Sequence, residues 1–353
     1  MRTICFAVCL AAFPLVAELK FDDRLDSVER KIKSARSEGE GCARSTARFP
    51  SGRPVYSGYG VWVTADVLYW TAFEGGTDFA YTTATAPSMT GSVYATRFDW
   101  DAGYRLGVSY SWPQDNWDLT ALVSQVNPVS QVGKAVQAPL NINPVLGSGD
   151  FTTGTNASEH WDLKFLALDL ELGRSYFVSR YLYLRPHFGA RGAWIHQKAT
   201  GQFATATQAE AVQLRNDFDG GGLRLGLDTK WFFDNHWNMS LASSVSTLYG
   251  HFKVGNQRNI FTSATGIKTY TSDEVGSVNR IVPAAQMALG AGWETAFACD
   301  RNYISFNVLY ELNYWWRQNQ LAFFQGAQEA PYGTRYSDDL GFHGVTFDMQ
   351  LSF

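Results

Sequence analysis

The chain has little cysteine, little charge and no long apolar run. Four Cys in 353 residues, with Cys5 and Cys9 inside the first nine positions, exclude a disulfide scaffold, and no Cys or His spacing suits a metal. Charged residues make up 18% and the net charge is −4, so no basic face offers itself to nucleic acid. Past the first twenty residues nothing approaches the ~18 consecutive apolar positions of a membrane-spanning helix, which excludes a helical membrane protein. His-Glu-x-x-His, a phosphate-binding Gly-Lys-Ser/Thr loop and a Gly-x-Ser-x-Gly elbow are missing. The six His, at 160, 187, 196, 236, 251 and 343, share no i, i+2 or i, i+4 spacing. No metal, cofactor or catalysis is therefore expected. An enzyme whose acid, His and Ser come from neighbouring strands stays open, because sequence separation does not limit that geometry.

What the chain does have is aromatic side chains: 12 Trp, 17 Tyr and 24 Phe, or 15% of all residues. The N-terminus is separate from them. Arg2, the apolar stretch Ile4 to Val16 and the small Ala17 before Glu18 read as an export signal over residues 1–17. Over residues 18–47, Phe21, Leu25, Val28, Ile32 and Ala35 recur at heptad spacing, which predicts a short periplasmic helix. Such a helix serves either as a solvated arm or as an oligomerising or tethering element. Residues 48–57 form a linker.

From residue 58 the period is two. Phe98, Trp100, Ala102, Tyr104, Leu106, Val108 and Tyr110 alternate with Asp99, Asp101, Gly103, Arg105, Gly107 and Ser109, and a strand sends such sets to opposite faces. The grammar recurs through Leu223–Trp231, Trp237–Tyr249, Ile304–Trp316 and Val345–Phe353. Connections alternate between short and long. The short ones lie at 111–116, 173–180, 234–236 and 298–301, the long ones at 71–96, 125–160, 196–216, 251–279 and 318–338. Trp and Tyr gather at strand ends, as in Trp100/Tyr110, Trp231/Trp237 and Trp293/Tyr303. Together these predict an all-β fold, a transmembrane antiparallel β-barrel over 58–353 in outer-membrane lipid. Ten strands are expected: Val61–Trp70, Phe98–Tyr110, Trp117–Ser124, His160–Leu172, Tyr181–Ile195, Gly220–Phe233, Trp237–Gly250, Ile281–Phe297, Asn302–Arg317 and Leu340–Phe353. Hairpins inside the long connections would raise the number to twelve to sixteen. In the fourth strand Leu166, Leu168, Leu170 and Leu172 alternate out of step with Trp161, Leu163 and Phe165, so a β-bulge is expected there.

Three blocks carry a family likeness: Asp169-Leu-Glu-Leu-Gly-Arg174 with Tyr176-Phe-Val and Tyr181-Leu-Tyr-Leu-Arg-Pro-His-Phe-Gly-Ala-Arg-Gly-Ala-Trp-Ile195; Ala65-Asp-Val-Leu-Tyr-Trp70 with Glu74-Gly-Gly-Thr-Asp78; and Phe98-Asp-Trp-Asp-Ala-Gly-Tyr-Arg-Leu-Gly107. In order and spacing they resemble the pore-forming major outer membrane proteins of legionellae and chlamydia-related bacteria. The resemblance implies an abundant outer-membrane channel, assembled as a homo-oligomer with a trimer favoured, its N-terminal segment periplasmic and its long loops at the cell surface. Phe353, closing an alternating strand, resembles the C-terminal signal read by the barrel-assembly machinery of Gram-negative bacteria. The low cysteine content departs from the cross-linked chlamydial pattern. Cys42 and Cys299 both fall on the short-turn side, which makes a disulfide between them a hypothesis.

The lumen follows from the face opposite the apolar one, since Arg or Lys facing lipid costs roughly 2–4 kcal/mol at the midplane. This rule points Asp99, Asp101, Arg105, Arg185, His187, Arg191, Arg224, Asp228, Lys230, Glu294 and Glu311 inward. Two roles stay open for them: ion pairs that fill a narrow barrel, or a charged constriction that selects solutes. The expected function is passive diffusion of ions and small polar solutes. The alternative is an adhesin or coat protein anchored by a plugged barrel, with segments such as 81–91 and 203–211 as exposed working loops.

Overall fold

The computed structural model describes residues 60–84, 91–112, 116–137, 140–145, 154–179, 181–205, 207–234, 236–262, 268–297, 302–325, 332–335 and 337–352. The expected signal peptide, N-terminal helix and linker, Cys42, Cys299 and Phe353 lie outside them. Ten of the described strands close into an antiparallel barrel: β1 (Gly60–Glu74), β2 (Asp101–Ser111), β3 (Trp117–Val126), β4 (Asn156–Arg174), β5 (Leu182–Ala204), β6 (Gln208–Phe232), β7 (Trp237–Thr262), β8 (Lys268–Phe297), β9 (Asn302–Asn319) and β10 (Asp338–Ser352). Each pairs with its sequence neighbour, and β1 with β10 completes the ring, so no open edge meets lipid. Shorter strands at 78–84, 93–95 and 140–144 form a separate sheet, and 129–135 pairs with β4 above the end of β3.

The connection at 196–216 is not a loop. β5 runs on to Ala204 and β6 starts at Gln208, joined by a tight turn, and β7 and β8 extend in the same way to Thr262 and from Lys268. Phe203, placed in an exposed loop by the sequence, is a buried strand residue. The fourth strand holds no bulge either: β4 pairs with β3 and β5 without a register shift. Irregularities in the barrel ladder fall instead between Ile260 and Phe261 and between Trp315 and Asn319, where Arg317 has φ 56°.

One physical change explains both differences. Along β4 the outward face carries Leu166, Leu168, Leu170 and Leu172 at one end and His160, Asp162 and Lys164 at the other, while the inward face passes from Asp169 and Glu171 to Phe165, Leu163 and Trp161. Backbone alternation is continuous; the polarity of the two faces exchanges. β5 repeats the exchange at Trp194. Before it, Pro186 and Phe188 face out and Arg185, His187 and Arg191 face in. After it, His196 and Lys198 face out and Ile195, Ala199 and Phe203 face in. From Leu182 to Trp194 the strand climbs roughly 30 Å at about 3.3 Å per residue and a tilt of about 40°, the thickness of a hydrocarbon layer. Beyond Trp194 the outside is water, so the apolar side chains turn inward.

Aromatic side chains mark both limits of the apolar band. Tyr69 stacks on Trp100 at 5.3 Å and His343 lies 5.9 Å from Phe73 at one limit; Trp293 stacks on Phe306 at 6.3 Å and lies 6.2 Å from His236 at the other. Tyr303, expected in that belt, instead points inward and is buried.

Above the band the barrel is filled. Phe165 lies 4.8 Å from Phe342 and 5.7 Å from Trp315, Phe98 packs edge-on against Trp161 at 6.1 Å, and Phe218 meets Phe252 at 4.7 Å. Phe79 and Ile142 from the small sheet complete this core, in which each large side chain contributes about 1.5–3 kcal/mol. Glu159 is buried at its edge, with one carboxylate oxygen accepting the Thr96 hydroxyl at 2.7 Å. Burial pushes this carboxyl up from 4.5 to about 7, against the lowering effect of the Thr96 bond.

Two outcomes follow. Arginine at outward Leu168, inside the band, costs roughly 2–4 kcal/mol, whereas arginine at outward His160 changes stability by no more than about 0.5 kcal/mol; urea unfolding in lipid vesicles measures both. Because the folded-state pKa of Glu159 is raised, its stabilising contribution is complete below about pH 4.5 and is lost as pH rises to about 7. Glu159→Gln flattens that part of the urea-midpoint profile.

Candidate functional site: the charged lumen

Within the apolar band most inward positions are polar, and the structure gathers them into layers. Nearest the short turns, Glu294 on β8 accepts from Lys230 Nζ at 3.0 Å, Asn238 Nδ2 at 3.1 Å and the Tyr303 hydroxyl at 2.6 Å. One layer on, Arg185 donates through Nε to Asp118 at 3.0 Å and through Nη1 to Asp228 at 2.8 Å, with Glu171 3.6 Å away. His187 lies between Glu171, 3.3 Å from Nδ1, and Asp228, 3.7 Å from Nε2. The local chain makes room for these groups. A Cβ on Gly173 would lie 2.5 Å from Arg185 Nε, and one on Gly226 would lie 2.3 Å from His187 Nε2.

The third layer is the densest. Arg105 grips Glu311 with two bonds of 2.9 Å and reaches Asp66 at 3.1 Å and Ser124 at 3.0 Å. Arg191 makes a forked contact with Asp169 at 2.6 and 2.7 Å. Arg224 pairs with Asp169 at 3.3 Å and Glu171 at 2.9 Å, and Gln286 accepts from both Arg191 and Arg224 while donating to Glu311. Two guanidiniums cap the apolar core directly: Arg105 stands 5.7 Å from the Trp70 ring and Arg191 5.9 Å from that of Trp315.

Of the positions predicted to face inward, Arg105, Arg185, His187, Arg191, Arg224, Asp228, Lys230, Glu294 and Glu311 all join these layers. Asp101 is inward but sits opposite Trp70, at the level of the apolar core, and accepts the Asn127 N–H at 3.3 Å. Asp99 differs: it is exposed on the segment that precedes β2, not on a barrel strand, because regular alternation begins only at Asp101. Sequence reasoning missed Asp66, Asp118, Asp169, Glu171 and Asp348. Each occupies an inward position on a strand whose opposite face is apolar, the signal that identified the others. The count changes the electrostatics. Among the described residues the layers hold five fixed cations, Arg105, Arg185, Arg191, Arg224 and Lys230, against eight carboxylates, Asp66, Asp118, Asp169, Glu171, Asp228, Glu294, Glu311 and Asp348. A cavity of about 210 Å³ runs among them, lined by Asp66, Arg105, Asp169, Glu171, His187, Asp228 and Glu311.

A family model described as Legionella pneumophila major outer membrane protein precursor matches residues 58–353. No curated protein matches the chain. Among solved structures, the outer membrane protease OmpT from Escherichia coli is 8% identical, with 83% of this chain and 96% of that chain covered and a TM-score of 0.41. The outer membrane protein OprG from Pseudomonas aeruginosa is 12% identical, covering 66% and 95% at a TM-score of 0.28. The toluene transporter TodX from Pseudomonas putida is 9% identical, covering 89% and 93% at a TM-score of 0.29.

Removing one partner of a buried pair leaves a desolvated charge behind. Arg105→Gln is expected to cost about 3–5 kcal/mol by stranding Glu311 and Asp66, and adding Glu311→Gln to recover much of it; unfolding of the single and double variants in detergent measures the difference.

Proposed function

Since the chain belongs to the Legionella major outer membrane protein family and forms an outer-membrane β-barrel, we propose that it is a channel for passive diffusion of ions and small polar solutes, with a preference for cations. The observation that carries this reading is the cavity inside the membrane band, lined among the described residues by six carboxylates, Asp66, Asp169, Glu171, Asp228, Glu311 and Asp348, against four fixed cations, Arg105, Arg185, Arg224 and Lys230. A surplus of acidic over basic groups along a narrow passage favours cations over anions. Nothing is made or broken in such a passage, so the protein acts without catalysis or cofactor. The short turns face the periplasm and the tall strands stand at the cell surface. The assembled form is a homo-oligomer, a trimer favoured, delivered to the membrane by assembly machinery that reads the C-terminal strand and Phe353.

In this reading the apolar core above the cavity is the gate. Phe165, Phe342 and Trp315 close the passage, and an apolar constriction blocks ions by excluding water. The same core favours a second reading, in which the barrel is permanently shut and anchors its tall outer wall as an adhesin or coat.

Single-channel recording in planar bilayers separates the two. The channel reading expects brief current steps from the wild type, a reversal potential displaced toward the cation in a salt gradient, and longer openings from Phe165→Ala/Phe342→Ala. Silence from both folded proteins would sink the channel reading and leave the anchor.

A further inference from the structure

Beyond the aromatic limit of the band, the outward surface of β4 to β7 carries a row of basic side chains. Lys164 lies on β4, opposite His196 of β5; Lys198 lies on β5, opposite Asp162 of β4 and Arg215 of β6; Lys253 lies on β7, opposite Asp217. A groove of about 550 Å³ crosses this face, lined by Lys164, Lys198 and Arg215 together with Asp162, Asp217 and Asp273, and Lys253 pairs across the ladder with its Asp217.

Three carboxylates of this face contact other side chains. Asp162 contacts His160 at 3.4 Å, Asp219 contacts His196 at 3.1 Å, and Asp217 is bonded by Arg215. Lys164, Lys198 and Lys253 form no ion pair or hydrogen bond with another described residue. Their depth is the second observation. Lys198 is four residues past Trp194 and Lys253 four past Tyr249 on the same outward face, roughly 10 Å along the membrane normal at about 3.3 Å per residue and a tilt of about 40°. Flexible lysine stems reach back across part of that distance. Their ammonium groups therefore stand in the headgroup layer, where the commonest anion is phosphate.

We infer that this groove docks the phosphate groups of anionic lipid headgroups in the leaflet beside the tall strands. The inference rests on the barrel's position in the membrane and is independent of whether the lumen conducts.

The test compares the wild-type barrel with Lys164→Gln/Lys198→Gln/Lys253→Gln in phosphatidylcholine nanodiscs, with or without diphosphorylated lipid A, by native mass spectrometry of retained lipid. Unchanged heat-modifiable migration establishes that the variant is folded. The wild type is expected to retain diphosphorylated lipid A, with affinity falling roughly fivefold for each lysine removed. Dephosphorylated lipid A should not distinguish the two proteins. Equal retention of diphosphorylated lipid A by both, or retention by neither, would overturn the assignment. Inorganic pyrophosphate binding as tightly as the lipid would overturn its lipid part.

Discussion

The boundary between lipid and water cuts across every tall strand of this barrel, and the rest of the structure answers to it. In hydrocarbon each backbone N–H and C=O needs a partner within the protein, so the ladder has to continue without a break and the ring has to close. Side chains have no such obligation. They exchange faces at Trp194 on β5 and around Tyr249 on β7. Below the boundary apolar groups face lipid and charges face in; above it the arrangement is that of a water-soluble barrel with an aromatic core. One continuous ladder thus carries two opposite patterns of polarity.

The two interiors depend on each other. Charges inside the band are desolvated, and each guanidinium reaches more than one acceptor, as Arg105 does with Glu311, Asp66 and Ser124. Buried pairs of this kind add little net stability over apolar replacements, but they are costly to break singly. The apolar core above adds burial energy to the closure that the backbone already requires, and the charged layers add ion pairs between facing strands. Where the two zones touch, Arg105 over Trp70 and Arg191 over Trp315 give the last charged layer an aromatic ceiling.

Much of this was legible in the sequence. All ten barrel strands were, because lipid outside and polar groups inside produce unbroken alternation, and nine of the eleven charged or His positions assigned inward lie in the layers. What was hidden lay beyond the boundary. Reading an apolar face as always outward turned the register of Trp161, Leu163 and Phe165 into a bulge, and it ended β5 at Ile195 and β7 at Gly250. Those are the points where the faces exchange, so the tall ends of β5 to β8 read as loops. The missed carboxylates have another cause. Asp66 and Asp118 have uncharged inward neighbours, Thr64 and Leu68 for the one and Thr120 for the other, and Asp169 and Glu171 lie on the strand whose pattern had been split in two. How the charges pair depends on which strands are neighbours, which composition and period do not encode.

The most direct test of the face exchange is a depth scan along the outward side of β5. Single cysteines at Phe188, Ala190, His196, Lys198 and Gln202, introduced after Cys42 and Cys299 are changed to serine, would carry a spin label in reconstituted vesicles. Collisions with oxygen and with a water-soluble nickel complex then report lipid or water at each site. Labels at 188 and 190 should meet oxygen, and those at 196, 198 and 202 the nickel complex, with one crossover next to Trp194. Oxygen-dominated collisions continuing through 202, or no crossover along the strand, would contradict it.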